Sequence, residues 1–304
     1  MKALVTGGTG MVGPRLLRLL DKPTVLSRNP ERARQSIGHL AGRIISWDPL
    51  QGPPPAEAFD GIDVVHHLAG ESVAGSRWTA AQKARIRDSR VVGTRNLVQG
   101  IRQAATKPAV LVSASAVGYY GDRGEEELTE SSPPARDFLA DVCVAWEKEA
   151  LAAEELGVRV VTERTGIVLG AGGGALAKML TPFKLGAGGP LGNGRQWMPW
   201  IHVDDLARLY VHAAERASIR GPMNAVAPNP VRNSEFTKAL GRQLRRPAFM
   251  PAPYIGLRIV FGEFAQVLFA SQRVIPKVAI DTGFTFEYPE IAGALKQILA
   301  PAAA

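Results

Sequence analysis

The stretch from Val5 to Gly13, Val-Thr-Gly-Gly-Thr-Gly-Met-Val-Gly, constrains the fold more than any other part of the chain. A short apolar run precedes it, and Pro14 to Leu20, with apolar residues at helical spacing, follow it. Its glycines Gly7, Gly10 and Gly13 therefore lie where a strand turns into a helix. At such a turn a Cβ atom would block the tight backbone or the approach of a pyrophosphate, and the helix N-terminus offers unbonded N–H groups to a phosphate. The stretch predicts a bound dinucleotide, and the alternative is a glycine-rich turn without a ligand.

The composition is that of an ordinary globular protein of 304 residues, with 46% hydrophobic and 21% charged residues. A single cysteine, Cys143, excludes a disulfide framework and a cysteine zinc cluster, so we expect a reducing, cytoplasmic setting. The most apolar late stretch, residues 249–270, is interrupted by prolines and charged residues, and we expect no membrane partner. The net charge of +8 comes mostly from scattered arginines without a long basic run, and we expect no nucleic-acid partner.

Apolar strand-type runs alternate with helical segments through the first half of the chain. The predicted strands are residues 2–5, 25–27, 43–46, 62–68, 109–112 and 159–162. This alternation predicts an α/β fold with a right-handed, doubly wound parallel sheet of the Rossmann type. Residues 66 and 67 are both histidines, but neighbouring strand residues face opposite ways, so they cannot ligate one metal and we expect no metal site.

The sequence texture changes after residue 168 and predicts a division of the chain. We expect a dinucleotide-binding Rossmann domain at residues 1–168, to which residues 195–226 return. Residues 169–194 and 227–246 would form substrate-side loops and helices, and residues 247–304 a separate, small C-terminal module, giving a smaller α/β substrate-side region. The glycine-dense loops within 169–194 are equally consistent with a substrate lid and with a flexible linker.

The end of the second predicted strand indicates which dinucleotide would bind. An acidic residue there accepts hydrogen bonds from the ribose 2′-hydroxyl of NAD, but this position reads Ser27-Arg28-Asn29 and holds no carboxylate. The Arg28 guanidinium can instead contact a 2′-phosphate, so the sequence favours NADP(H) over NAD(H), unless Arg28 is only a solvated surface residue. Asp48, near the end of the third strand, suits the adenine amino group and a cap of its own loop equally well.

Motifs after several predicted strands carry a resemblance to a known family. With the glycine turn, they are Leu68-Ala69-Gly70, Ser113-Ala114-Ser115-Ala116 and Trp200-Ile201-His202-Val203-Asp204-Asp205. On these motifs, residues 1–245 resemble the extended short-chain dehydrogenase/reductases, which include sugar-nucleotide epimerases and dehydratases. Further motifs, among them Ser89-Arg90-Val91-Val92-Gly93-Thr94, Tyr119-Tyr120-Gly121-Asp122 and Arg164-Thr165-Gly166, look like the atypical "epimerase family" subgroup, which carries a short C-terminal domain of unknown function.

The resemblance implies a set of cofactor contacts. The glycine turn would face the pyrophosphate, the Leu68 stretch the adenosine ribose, and Ser113 and the stretch beginning at Arg164 the nicotinamide. Together with the residues at the strand ends, the predicted cofactor site comprises Gly7, Thr9, Gly10, Met11, Val12, Gly13, Ser27, Arg28, Asp48, Leu68, Ala69, Gly70, Ser113 and Arg164.

The catalytic helix departs from the family pattern. In the family a tyrosine four residues before a lysine supplies the proton, and a glutamate commonly follows the lysine by four. Counting back from Glu147 places Cys143 at the lysine position and Leu139 at the tyrosine position, and neither can do that chemistry. Ser115 keeps the position that polarises a carbonyl, and Tyr119 or Tyr120 is a candidate proton donor, although packing of the loop explains both phenols as well.

Two functions follow from these residues. The first is an NADP(H)-dependent oxidoreductase or epimerase of the atypical short-chain type, acting on a small molecule that the sequence does not name. The second is a non-catalytic NADP(H)-binding sensor or scaffold that has lost the tyrosine–lysine pair. By analogy of fold, a homodimer could form through the helices that begin near Thr79 and Asp137.

Overall fold

A seven-stranded parallel sheet lies at the centre of the computed structural model, which describes residues 1–300. The strands follow the order β11-β7-β5-β4-β1-β2-β3. They are β1 Ala3–Thr6, β2 Thr24–Ser27, β3 Arg43–Ser46, β4 Val64–His67, β5 Val110–Ala116, β7 Arg159–Thr165 and β11 Gly221–Ala225. The chain therefore runs outward from β1 to β3 and then crosses back to β4, so that the order reverses between β1 and β4. This doubly wound arrangement confirms the predicted fold class, and ligands bind beside such a reversal in open α/β sheets.

Helices cover both faces of the sheet, and short strands pair outside it. The helices are α1 Gly13–Leu17, α2 Pro30–Ile37, α3 Ala80–Gln103, α4 Phe138–Leu151, α5 Gly174–Lys184, α6 Val203–Glu215, α7 Asn233–Leu244, α8 Tyr254–Phe261, α9 Ala265–Phe269, α10 Lys277–Asp281 and α11 Ile291–Leu299. The short strands are β6 Glu127–Leu128, β8 Ile167–Leu169, β9 Trp197–Met198, β10 Trp200–His202, β12 Val231–Arg232 and β13 Arg273–Val274.

Alternating side chains along the strands divide the sheet between two cores. Val5, with its counterparts on β5 and β7, packs beneath α1, α2 and α6, whereas its neighbour Leu4 packs beneath α3. Because successive residues of a strand face opposite ways, the six strands from β7 to β3 in the sheet order each contribute to both cores. Both faces of the sheet are therefore buried, as a parallel sheet requires.

Buried apolar side chains of the segment after Pro247 lie in clusters that they share with earlier parts of the chain, and the division of this segment as a separate module stays a prediction. Ile291 and Leu295 of α11 are buried in one cluster with Trp200 and with Phe236 of α7. Val274 of β13 joins a second cluster beneath the loop that follows β5. Ala279 of α10 lies in the core that also contains Val5, so the buried apolar side chains of the segment are distributed over three clusters. Among residues 1–300, no helix is both long and apolar enough to cross a membrane.

Candidate cofactor and active site

The glycine turn between β1 and α1 has a shape that only glycine permits at two positions. Gly7 has a φ of +72°, and a Cβ atom there would lie 2.8 Å from the carbonyl carbon of Leu68. A Cβ atom on Gly13 would lie 2.2 Å from the carbonyl oxygen of Gly8. At Gly10, by contrast, a Cβ atom would meet only the turn's own Gly7 oxygen, at 3.3 Å. The turn is thus tightly packed at Gly7 and Gly13 and has open space beside Gly10. That open space fits a dinucleotide pyrophosphate.

The end of β4 lies directly beside this turn. Thr6 Oγ1 accepts a hydrogen bond from the Ala69 N–H at 3.2 Å and is bonded to His67 Nδ1 at 2.7 Å. His67 Nε2 reaches Thr94 of α3 at 2.9 Å, and burial lowers the pKa of His67 to about 4. His67 is therefore neutral near pH 7, and its hydrogen bonds hold the start of the Leu68-Ala69-Gly70 stretch beside the glycine turn.

His66 lies on the opposite face of the sheet from His67, as the strand alternation predicts. Its ring meets the Tyr210 ring of α6 edge to face, with centroids 6.0 Å apart. Burial lowers the pKa of His66 to about 3, so this ring is also neutral near pH 7. The two histidines cannot share a metal ion, because the sheet separates them.

The Arg28 side chain lies exposed at the carboxyl end of β2. In residues 1–300 it has no hydrogen-bond or ion-pair partner, whereas its neighbours are engaged: Ser27 Oγ contacts the Asn29 backbone and Asn29 caps α2. Asp48 Oδ1 accepts a hydrogen bond from the Leu50 N–H at 3.0 Å, so the carboxylate does cap its own loop. A contact between Asp48 and adenine stays a prediction.

Met11 connects the glycine turn with the first glycine-dense loop. A Cβ atom on Gly170 would lie 2.9 Å from Met11 Cε, and one on Gly174 would lie 2.9 Å from Met11 Sδ. The glycines of this loop therefore leave the space that Met11 fills. The loop leads into α5, so it places the start of the 169–194 segment beside the predicted pyrophosphate site.

Ser115, Glu147 and Arg164 form a buried cluster at the carboxyl end of β5. Ser115 Oγ donates to Glu147 Oε1 at 2.6 Å. Arg164 Nε donates to the same oxygen at 2.8 Å, and its Nη2 donates to Glu147 Oε2 at 2.9 Å. Ser115 and Arg164 are register partners on β5 and β7, and Glu147 reaches both from α4. The bidentate geometry gives a strong, directional ion pair.

The remaining donors of Arg164 are also used inside the protein. Arg164 Nη1 donates to the Tyr120 hydroxyl and to the Glu130 carbonyl, both at 3.1 Å. Every nitrogen of this guanidinium therefore has a partner, and of its five N–H groups only one, on Nη2, has no acceptor among residues 1–300. A contact between Arg164 and the nicotinamide stays a prediction.

The two candidate phenols differ in their surroundings. Tyr120 has no exposed surface, and its hydroxyl donates to Asn224 Oδ1 at 2.6 Å. Burial raises the pKa of Tyr120 to about 12, so its placement argues against a role as proton donor. Tyr119 is partly buried, and the Arg164 guanidinium lies 3.5 Å from its ring centroid. The role of Tyr119 stays a prediction, and its side chain is the better placed of the two phenols for such a role.

Three more side chains near the predicted nicotinamide end lie inside the protein to different degrees. Ser113 has no exposed surface, whereas Ser115 keeps 3%. Cys143 Sγ points at the Ala116 carbonyl, 3.6 Å away, and burial raises the pKa of the thiol to about 12. Leu139 packs close to Gly118, where a Cβ atom would lie 3.2 Å from that of Leu139. Cys143 and Leu139 are thus packing residues.

Sequence reasoning missed the partners that hold this region. The sequence identifies Glu147 only as the reference from which the lysine and tyrosine positions are counted. It gives no role to Gln272, whose Nε2 donates to the carbonyls of Val117 and Gly121 at 2.9 Å each. Alternation along β5 and β7 does put Ser115 and Arg164 on one face, which is a signal for their pairing. No sequence signal relates Gln272 to a loop about 150 residues before it.

A model of the NAD dependent epimerase/dehydratase family matches residues 3–225. The chain belongs to that family. A domain of unknown function matches residues 252–298 of this epimerase-family chain, as the resemblance implied. It is 40% identical to the epimerase family protein YfhF of Bacillus subtilis, over 99% of the chain and 98% of the relative. It is 37% identical to the human epimerase family protein SDR39U1, over 99% of the chain and 100% of the relative.

Solved structures agree with this membership. The crystal structure of human SDR39U1 (isoform 2) with NADPH superposes with a TM-score of 0.86 at 36% identity, covering 98% of this epimerase-family chain and 99% of that one. UDP-glucuronic acid 4-epimerase from Bacillus cereus, solved with UDP-glucuronic acid and NAD, gives a TM-score of 0.78 at 16% identity, covering 98% of each chain. The second likeness concerns the fold alone.

Proposed function

We propose that the protein is an NADP(H)-dependent oxidoreductase or epimerase acting on a small molecule. The glycine turn carries the proposal: it is closed by its contact with Leu68 and open above Gly10, where a pyrophosphate fits. The NADPH in the structure of human SDR39U1, which is similar over nearly the whole chain, supports a cofactor of this class. The turn residues would hold the pyrophosphate, and the cofactor when bound supplies the hydride chemistry.

Arg28 is the basis for the preference of NADP(H) over NAD(H). Its guanidinium is exposed and unpaired within the described chain, at the strand end where an NAD enzyme carries a carboxylate. A hydrogen-bonded contact to a charged group contributes about 1.5–3 kcal/mol. Each 1.4 kcal/mol is a tenfold change in affinity, so this contact is worth about 10- to 150-fold.

The direction of the Ser115 hydrogen bond limits the chemistry. A serine hydroxyl has one hydrogen, and Ser115 gives it to Glu147. Toward a substrate Ser115 therefore presents lone pairs, which accept a hydrogen bond from an alcohol rather than polarise a carbonyl. In this arrangement Ser115 would orient a substrate hydroxyl, and Tyr119 remains the candidate for exchanging a proton with it.

The absent tyrosine–lysine pair supports a second candidate function, a non-catalytic NADP(H)-binding sensor or scaffold. Leu139 and Cys143 occupy the two positions; Cys143 is buried, and Leu139 is half-buried and packs against Gly118. The two functions share the cofactor site and differ only in whether a substrate is turned over.

Titration of NADPH and NADH into the purified protein tests the shared claim. We expect tighter binding of NADPH, and a selective loss of NADPH affinity of about 10-fold or more in Arg28→Ala. Arg18→Ala, which removes another exposed arginine, is the matched control and should change neither affinity. Equal affinity for the two cofactors would remove the argument from Arg28.

A substrate screen separates the two functions. Purified protein with NADP⁺ or NADPH would be tested against alcohols, aldehydes and sugar nucleotides, with Ser115→Ala alongside. Turnover that falls in Ser115→Ala supports the enzyme, whereas turnover that is unaffected removes Ser115 from the mechanism. Tight NADPH binding without turnover of any of these substrates favours the sensor or scaffold.

A further inference from the structure

The helix that should present a lysine to the cofactor presents none. At the lysine position of α4, the Cys143 thiol is buried and directed at a backbone carbonyl. Two arginines cannot readily take the place of that lysine: Arg164 is held in a bidentate pair with Glu147, and Arg87 is exposed and paired with Asp88. A cofactor held as in the family would therefore lack its cation, unless another element supplies one.

Arg90 of α3 approaches the same place from the opposite side. Its Cζ lies 5.0 Å from the ring centroid of Trp146, three residues after Cys143 on α4. A Cβ atom on Gly70 would lie 3.4 Å from the same Cζ, so the guanidinium lies against the end of β4. The Arg90 charge also acts on Cys143, where it opposes the rise that burial causes in the thiol pKa. The guanidinium thus lies between Gly70 of the predicted cofactor site and the part of α4 where Cys143 stands in place of the lysine.

One edge of this guanidinium is fixed and the other is unbonded. Arg90 Nη1 donates to the carbonyls of Glu71 at 2.9 Å and Ile86 at 3.1 Å. Within residues 1–300, Nε and Nη2 have no hydrogen-bond partner, and no carboxylate lies within 4.0 Å of the group. A partly buried guanidinium without a carboxylate is costly to keep, and an acceptor from a ligand relieves that cost.

We propose that Arg90 supplies the cation that α4 lacks, donating its free edge to the ribose oxygens on the nicotinamide half of the bound dinucleotide. This proposal rests on the NADP(H) function proposed above. A guanidinium has donors enough for two hydroxyls, and Trp146 fixes its plane. Unlike a lysine, it cannot release a proton, so Arg90 binds and orients the cofactor without taking part in a proton relay.

The test compares two ligands that share one half. NADPH carries the nicotinamide ribose, and adenosine 2′,5′-bisphosphate lacks it. In Arg90→Ala we expect about tenfold or weaker NADPH binding with unchanged binding of the bisphosphate. Arg87→Ala is the control on the same helix and should alter neither. Thermal unfolding without ligand checks that each variant is folded.

Two further variants make the test specific to the vacant position. Arg90→Lys keeps a cation there and should bind NADPH more tightly than Arg90→Ala. Adding Cys143→Lys to Arg90→Ala places an ammonium at the family position and should restore part of the lost affinity. The proposal is overturned if Arg90→Ala binds NADPH as the wild type does, or loses both ligands equally. Failure of the wild-type protein to bind either ligand would instead refute the NADP(H) function itself.

Discussion

Removal of the Glu147 carboxylate should be among the most damaging single changes to this protein. The carboxylate accepts from Ser115 at 2.6 Å and from Arg164 at 2.8 and 2.9 Å, and the side chains of Glu147 and Arg164 are only 8% and 4% exposed. Glu147→Ala would leave the Arg164 charge buried and unpaired. Breaking a buried pair in this way costs about 3–5 kcal/mol.

Glu149 provides a matched control on the same helix. It pairs with Arg95, whose side chain is 58% exposed, so water can solvate the charge that remains after the change. Exposed pairs contribute about 0–1 kcal/mol. Glu149→Ala should therefore cost no more than about 1 kcal/mol, although it removes the same carboxylate from the same helix.

Urea unfolding of the protein without cofactor, followed by tryptophan fluorescence, measures both free energies of unfolding. Glu147→Gln keeps the shape and some hydrogen bonds but not the charge, and should lie between wild type and Glu147→Ala. A cost for Glu147→Ala within 1 kcal/mol of that for Glu149→Ala would refute the reasoning, since burial would then make no difference to the pair.

Two further predictions concern buried titratable groups. Because burial lowers the pKa of His66 and His67 to about 3 and 4, the folded state binds fewer protons than the unfolded state, whose histidines titrate near 6.5. The free energy of unfolding should hence be highest above pH 6.5 and fall by up to about 1.4 kcal/mol per pH unit for each histidine as the pH drops from 6.5 toward 4. Urea unfolding at pH 7, 6 and 5 checks this. Replacement of the exposed His39 by glutamine is the control and should leave the pH dependence unchanged, and a free energy of unfolding that does not vary with pH would contradict the prediction. Cys143, whose pKa burial raises to about 12, should resist a thiol-specific disulfide reagent at pH 8 in the native protein and react in urea, and equal rates in both states would show an accessible thiol.

The layout of the sheet could be predicted because its strands are apolar runs bounded by helical periodicity. β3 has the predicted limits, 43–46. β5 and β7 run further than expected, to Ala116 and Thr165, because backbone pairing between the two strands continues through their polar residues, from Ser113 with Thr162 to Ala116 with Thr165. A single sequence shows such residues only as a loss of apolar character, which resembles the end of a strand.

A sequence indicates residues that the local geometry of a turn imposes, but it does not indicate contacts between distant elements. Gly7 and Gly13 are required by their own turn, so the sequence carries that information locally. The contact of Arg90 with Trp146 of α4 depends on how two helices pack, and no spacing within either helix indicates it. The packing of the segment after Pro247 could not be predicted for the same reason, since helical periodicity indicates which face of a helix is apolar but not what covers that face.

The two hydrogen bonds from Gln272 to the loop that carries Tyr119 affect how the parts of such a chain can evolve. Gln272 lies within the part matched by the domain of unknown function, whereas both carbonyls that it binds lie in the part matched by the epimerase family. Exchange of one part between relatives would have to bring a compatible partner for the other, or the loop beside Ser115 would lose its anchor. The two matched regions are therefore expected to be transmitted together as one evolutionary unit.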